Sequence, residues 1–159
     1  MKILIFTEGT ILMHKNAKDL KRNKIVQQVK DKESSVHDYS SYVPISNAVK
    51  KLKIWAKQGF KIFYLTSRKK SNEINDIKKV LKKYSFPKGE LLYRKAGENY
   101  VDVAKKVMPN ILIEDNCESI GGKKEMTINH IDQKIKKRIK SLIVKEFGGI
   151  DRISSTIKK

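Results

Sequence analysis

The feature that most constrains the fold is a repeated unit in which a short apolar segment runs directly into a polar turn. Apolar runs of this length, partly β-branched and followed by polar residues, favour buried strands over helices. The apolar runs span residues 3–6, 60–65 and 111–113, and the turns after them span residues 7–10, 66–68 and 114–116. A chain built in this way is expected to place several strands side by side in one core.

Amphipathic helices are predicted between these strands. After Pro44, and again after Ser71, apolar residues recur at spacings of three and four positions. The two stripes are Ile45, Val49, Leu52, Ala56 and Ile74, Ile77, Leu81, Tyr84. Strands that alternate with helices of this length form right-handed crossovers, which give a parallel sheet covered on both faces. The sequence therefore predicts an α/β fold, a three-layer α/β/α sandwich with a mainly parallel, Rossmann-like sheet.

The domain organisation expected from the length of 159 residues is a single domain over residues 1–150. Residues 126–131 are predicted to form an edge strand. A stripe of apolar residues then predicts a last helix, and its members are Ile131, Ile135, Ile139 and Leu142. Residues 151–159 are expected to fray at the C-terminus.

Residues 13–43 do not fit the alternation of strands and helices. This stretch is basic, because Lys and Arg outnumber Asp and Glu within it. We interpret it as a short cap-like insertion that projects over the carboxyl edge of the sheet as a lid. Its charge favours an anionic ligand.

The charge of the whole chain is strongly positive, with 36 Lys and Arg against 17 Asp and Glu and a formal net charge of +19. Such a field attracts polyanions, so a nucleic-acid partner is one interpretation. The lysines are spread along the chain without interleaved aromatic residues, which favours solvated helix faces instead. No apolar run approaches membrane-spanning length, and the single Cys117 excludes an internal disulfide. We expect a cytoplasmic protein without a membrane segment.

The polar turns are expected to meet at one edge of the sheet, since parallel strands all end on the same side. Hydroxyl groups of Thr10, Thr66 and Ser67, together with the Arg68 guanidinium, suit the binding of a phosphate oxyanion. The paired carboxylates of Glu114 and Asp115 suit a hard cation such as Mg²⁺. Taken singly, Thr66 and Ser67 also fit a helix cap, and the carboxylates also fit a solvated turn.

Three motifs together resemble the haloacid dehalogenase-like superfamily, which consists mostly of phosphatases and phosphotransferases. They are Phe-Thr-Glu-Gly-Thr at residues 6–10, Phe-Tyr-Leu-Thr-Ser at residues 63–67 and Ile-Leu-Ile-Glu-Asp at residues 111–115. The resemblance, which extends from Lys2 to about Ile120, implies a phosphorylated substrate and Mg²⁺, and it likens residues 13–43 to a reduced cap. The passage from Glu114 to Gly122 also looks like a group of bacterial and archaeal proteins, which brings no assigned activity.

The departures from the family pattern lie in the first motif and in the family's lysine. Phe6 occupies the position of the Asp nucleophile, and a phenyl ring can neither attack phosphorus nor bind a metal ion. Glu8 occupies the second acidic position, where it remains a candidate general acid or base and a metal ligand. The lysine that follows the second motif has three candidate matches, Lys95, Lys105 and Lys106, and Lys95 is taken as the substrate-binding candidate.

Three functional interpretations follow from the sequence. The favoured one is a phosphatase-fold protein that binds a phosphorylated or anionic ligand and has lost the aspartyl-phosphate mechanism. The second is an active phosphohydrolase in which Glu8, Glu114 and Asp115 hold Mg²⁺ and activate water directly. The third is a nucleic-acid or protein-binding module that uses the basic insertion.

Overall fold

The structure, a computed structural model, describes residues 1–157. Its strands in chain order are β1 (Lys2–Phe6), β2 (Leu12–Met13), β3 (Val43–Pro44), β4 (Lys61–Leu65), β5 (Gly89–Leu92), β6 (Ile111–Asp115) and β7 (Lys140–Val144). Its α-helices are α1 (Arg22–Lys30), α2 (Ala48–Lys57), α3 (Ser71–Lys83), α4 (Tyr100–Val107) and α5 (Gln133–Lys136). Short 3₁₀ turns occupy parts of the intervening segments.

Five of the strands form one sheet in the order β5-β4-β1-β6-β7, and every neighbouring pair is parallel. β1 lies at the centre, where Ile5 is level with Tyr64 of β4 on one side and with Ile113 of β6 on the other. The predicted three-layer α/β/α sandwich with a parallel sheet is confirmed. Strands β2 and β3 form a separate antiparallel pair at the two ends of the insertion.

The two faces of the sheet bury separate apolar clusters, because successive side chains of a strand point to opposite faces. On β1, Ile3 and Ile5 pack with α2 and α3, whereas Leu4 packs with α4. All three side chains are buried. A run of consecutive apolar residues is what a central strand needs when helices cover both of its faces.

The C-terminal third differs from the prediction in two places. The prediction of an edge strand at residues 126–131 is wrong, since Thr127–His130 form a 3₁₀ turn. The prediction of a long last helix is wrong as well, because α5 has four residues and Leu142 belongs to β7. Leu142 pairs in register with Ile113 of β6, and this ladder of backbone hydrogen bonds outweighs the helical spacing of the apolar stripe.

The C-terminal segment packs against the core, contrary to the frayed tail expected for residues 151–159. The Ile157 side chain is buried, and the Trp55 indole of α2 donates a hydrogen bond to the Ser154 carbonyl at 3.3 Å. The Lys51 ammonium donates to the Ile153 carbonyl at 2.7 Å. The segment therefore runs along one side of α2, and only residues 158–159 of the expected tail lie outside the described part of the chain.

The insertion at residues 13–43 contains α1 and three short 3₁₀ turns. An ion pair between Arg22 of α1 and Glu118 ties it to the loop after β6. Between residues 1 and 157, no helix has the length and apolar content needed to cross a membrane.

Candidate functional site

The polar turns after β1 and β6 meet at the carboxyl edge of the sheet. Thr10 Oγ1 donates a hydrogen bond to Asp115 Oδ2 at 3.0 Å, and both residues are buried. Gly9, which precedes Thr10 in the turn, has a φ of +80°, and a Cβ atom there would stand 2.9 Å from Asp115 Oδ2. Only glycine fits this close approach without strain. The convergence of these two turns, predicted from the parallel sheet, is confirmed.

Glu8 joins the turn after β1 to the turn after β4. Its Oε2 atom accepts hydrogen bonds from Thr7 Oγ1 at 2.6 Å and from the Ser67 N–H at 3.2 Å, and its Oε1 atom accepts from the Thr66 hydroxyl. The Arg68 Nε atom lies 3.8 Å from Oε1. Glu8 is therefore held by several donors and organises the turn after β4.

Arg68 and Tyr39 link the insertion to this turn. The Arg68 guanidinium lies 4.6 Å from the centre of the Tyr39 ring and also donates to the Tyr39 hydroxyl. Arg68 Nη2 donates to Ser67 Oγ at 2.9 Å. The arginine is thus oriented by contacts on two sides, and it lines the cavity between the insertion and the carboxyl edge of the sheet.

Phe6, at the end of β1, packs against an aromatic residue of α4. The Phe6 and Tyr100 ring centres are 5.0 Å apart in an edge-to-face arrangement, and the Arg94 guanidinium stacks 4.0 Å from the centre of the Tyr100 ring. Arg94 Nη2 donates a long hydrogen bond of 3.4 Å to the Ser67 carbonyl. Arg94 Nε is buried without a partner in residues 1–157, so this guanidinium retains an unused donor.

Two carboxylates, Asp115 and Glu146, lie on the opposite side of the site, around β6 and β7. Asp115 accepts from Thr10 and from the Cys117 N–H at 2.8 Å. Glu146 accepts from the N–H and the hydroxyl of Ser119, each at 2.6 Å. Burial raises the pKa of Asp115 and of Glu146 above their ordinary values.

Glu114 points to the other face of the sheet, as expected for the neighbour of Asp115 in a strand. Its two oxygens accept from the N–H groups of Thr127 and Ile128 at 2.8 and 2.9 Å. Burial raises the pKa of Glu114. Glu114 thus anchors the 3₁₀ turn that replaces the expected edge strand.

The fit of these carboxylates to Mg²⁺ can be judged from their partners. Glu8 is bound to the β4 side, Glu114 to a backbone turn and Asp115 to Thr10, so the three proposed ligands do not converge. Residues 1–157 contain no group of three or more acidic, His or Cys side chains placed to hold a metal ion. The donor set does not match the several converging oxygens that Mg²⁺ requires.

None of the three candidate lysines lines the cavity at this edge. Lys95 and Lys105 are exposed, and Lys106 forms an ion pair with Glu98. Arg94, one position before Lys95, does line the cavity, as does Arg68. Thr10 and Thr66 are buried, and their hydroxyl groups donate hydrogen bonds to the carboxylates of Asp115 and Glu8. Ser67 and Arg68, in contrast, face the cavity.

The cavity at the carboxyl edge has a volume of about 380 Å³ and is walled by both the sheet edge and the insertion. Sequence reasoning missed several of its residues, which are His14, Tyr39, Tyr42, Arg94, Tyr100 and Glu146. His14 Nδ1 lies 2.7 Å from Ser35 Oγ, and burial lowers the pKa of His14. Arg94 follows a short strand, as Arg68 does. That position after a strand is the sequence signal that could have identified Arg94 as a residue of the cavity.

Comparison with known proteins shows the fold. No protein-family model matches this chain, and no curated protein matches it. A chain of the Pnkp1/Rnl/Hen1 RNA repair complex superposes with a TM-score of 0.58 at 13% identity, covering 91% of this chain and 42% of that chain. The present chain therefore spans less than half of that protein.

A phosphatase superposes on this chain with the same TM-score. The class C acid phosphatase from Bacillus anthracis, solved with tungstate bound, superposes with a TM-score of 0.58 at 15% identity, covering 93% of this chain and 68% of that chain. Identities this low establish a common architecture and nothing about activity. The chain described here shares the α/β architecture of these two proteins.

Proposed function

We propose that this protein binds a phosphorylated or similarly anionic ligand at the carboxyl edge of its sheet and does not process it through an aspartyl-phosphate. The observation that carries the proposal is the placement of Phe6, which ends β1 and lines the cavity together with Arg68 and Arg94. A cavity with two guanidinium groups and a phenyl ring at the nucleophile position favours binding over covalent catalysis.

The cationic side of the cavity supports an oxyanion. Arg94 keeps its buried Nε donor free, and its long bond to the Ser67 carbonyl is easily exchanged for a charge-assisted one. Arg68 is fixed by Tyr39 and Ser67, so it loses little side-chain entropy when a ligand binds. Together these groups favour a phosphate near the ends of β4 and β5.

The acidic side of the cavity restricts where the phosphate is bound. Asp115 and Glu146 receive a hydrogen bond at every carboxylate oxygen, which stabilises the turns around them. Their charge disfavours an anion near β6 and β7. The ligand phosphate is therefore expected at Arg68 and Arg94, with the uncharged part of the ligand directed towards the acidic half.

The experiment is a calorimetric titration of the protein, carried out once with ribose 5-phosphate and once with inorganic phosphate. Replacing Arg94 with Gln is expected to weaken binding about tenfold or more, since a charge-assisted hydrogen bond is lost. The matched control is Arg138→Gln, which removes the same charge from an exposed site outside the cavity. Equal affinities of the two variants would contradict the proposal.

A nucleic-acid partner is the second candidate, favoured by the formal net charge of +19. Binding of a single-stranded RNA should then weaken steeply with salt and weaken again when Lys15, Lys18, Lys21 and Lys24 are changed to Gln. Binding that is absent or insensitive to salt eliminates this candidate.

A further inference from the structure

A second groove, of about 650 Å³, lies between β7 and the C-terminal segment at residues 148–157. Its floor is apolar and includes Leu142, Val144 and Ile153. Its rim is basic, and the cationic residues that line it are Arg22, Lys140, Lys145 and Arg152. None of these residues belongs to the cavity at the carboxyl edge.

The backbone of β7 is open on the side of this groove, because β7 is the last strand of the sheet. The Lys140 N–H donates to the Asn110 carbonyl at 2.8 Å, and the Val144 carbonyl accepts from the Asn116 N–H at 2.9 Å. In a parallel pair, alternate residues face the neighbouring strand, so residues 140, 142 and 144 face β6. The N–H and C=O groups of Ser141 and Ile143 point away from the sheet.

The centre of this edge lacks the features that block strand addition. Natural edges are commonly protected by a central charge, a proline or a bulge. β7 pairs with β6 in unbroken register, and its central segment is Ser141-Leu142-Ile143, with the Ile143 side chain 53% exposed. The opposite edge strand, β5, does carry an exposed charge, Glu90, within its four residues.

The charge of the rim selects the occupant. Lys140, Lys145 and Arg152 form no ion pair with any carboxylate of residues 1–157, and they flank the open edge. Unpaired cations beside an apolar floor attract a partner that is anionic and also has apolar side chains. A peptide strand with alternating acidic and apolar residues meets both requirements.

We propose that the open edge of β7 and its basic-rimmed groove bind an extended acidic peptide segment of a partner protein, which adds to the sheet as a sixth strand. Its backbone pairs with Ser141 and Ile143, its apolar side chains lie on Leu142 and Val144, and its carboxylates meet the rim. This interaction is independent of ligand binding at the carboxyl edge.

Two other occupants fit these observations less well. A second copy of this chain would bring another molecule of net charge +19 against the same basic rim, which is repulsive. A nucleic acid would satisfy the cations but would leave the apolar floor and the unpaired backbone groups unused.

The test uses the full chain and a fluorescein-labelled peptide of about eight residues in which Glu and Val alternate, since strands of this length are typical. Fluorescence anisotropy is expected to show saturable binding. The same peptide N-methylated at every amide is expected not to bind, because it cannot form the ladder. Hydrogen exchange should slow at the Ser141 and Ile143 amides when the unmodified peptide is added.

Matched charge reversals test the rim. Lys140→Glu combined with Lys145→Glu is expected to weaken peptide binding about tenfold, as two attractive contacts become repulsive. The control combines Lys78→Glu with Lys79→Glu, which makes the same change in net charge on the exposed face of α3 and should leave affinity within about twofold.

The proposal is overturned if the N-methylated peptide binds equally well, or if both double variants lose the same affinity, since either result indicates non-specific attraction. It is also overturned if sedimentation shows a concentration-dependent dimer that Ile143→Lys abolishes, because the edge is then occupied by a second copy. Saturable binding with slowed exchange only at the outward-facing amides supports it.

Discussion

Thr10 Oγ1 donates a hydrogen bond to Asp115 Oδ2 at 3.0 Å, although the two residues are 105 positions apart in the chain. This contact ties the turn after the central strand to the end of the neighbouring strand. Because both side chains are buried, the bond stabilises the edge of the sheet at which the cavity lies. Gly9, in the same turn as Thr10, tolerates no side chain because its φ is +80° and a Cβ atom would stand 2.9 Å from Asp115 Oδ2.

Replacing Thr10 with Val is expected to lower the free energy of unfolding by about 1–3 kcal/mol, because a buried carboxylate oxygen loses its donor. Thr10→Ser retains the hydroxyl and is the matched control, with a smaller loss from the missing methyl group. Urea denaturation of the three proteins measures the difference. A Val variant as stable as the Ser variant would show that this hydrogen bond is unimportant.

The buried Glu146 gives a prediction about pH. Because burial raises its pKa, the folded protein holds this proton at higher pH than the unfolded chain does. The folded state therefore binds more protons between the two pKa values, and stability falls as pH rises from about 4 through the folded pKa.

Glu146→Gln removes this titration while preserving the shape of the side chain. We expect the variant to be more stable than the native protein at pH 8 and equally stable at pH 4, where both side chains are neutral. Glu90→Gln, at an exposed edge, is the control. Denaturation at both pH values measures the change, and a gain that is equal at pH 4 and pH 8 contradicts the explanation.

Cys117 is expected to be unreactive although it is partly exposed. Burial, followed by the charges of Asp115 and Glu114, raises the pKa of its thiol to about 12. Alkylation by iodoacetamide at pH 8.5 should be about a hundredfold slower in the folded protein than in urea, because the thiolate is the reacting form. Asp115→Asn should accelerate the reaction, and equal rates in the folded and unfolded protein would be inconsistent with this environment.

The contacts of Arg94 predict that phosphate binding depends on the planar shape of its guanidinium group as well as on its charge. Arg94→Lys keeps the positive charge but loses the planar group that stacks on Tyr100 and the free Nε donor. We expect phosphate affinity to fall about fivefold or more, since lysine cannot reproduce a planar bidentate contact. Full affinity in the Lys variant, measured by calorimetry, would mean that charge alone is sufficient.

The sheet was predictable because its signal is local. Each central strand is a run of apolar residues closed by a polar turn, and this pattern follows from burial on both faces. The meeting of Thr10 with Asp115 was predictable for the same reason, since the direction of parallel strands places their ends together.

The C-terminal third was not predictable from the same pattern. Leu142 continues a helical stripe in the sequence, but in the structure it pairs with Ile113 of β6, and no local signal indicates that partner. Arg94 was missed for a related reason, because its role depends on stacking against Tyr100, which is supplied by another element.

The most direct measurement is ³¹P NMR of ribose 5-phosphate mixed with the native protein in the presence of Mg²⁺. The account predicts a saturable change in the phosphorus resonance, reduced in Arg94→Gln, and no release of inorganic phosphate. Release of inorganic phosphate that disappears in Glu8→Gln and in Asp115→Ala would contradict it, because the protein would then be a hydrolase that works without a nucleophile at Phe6.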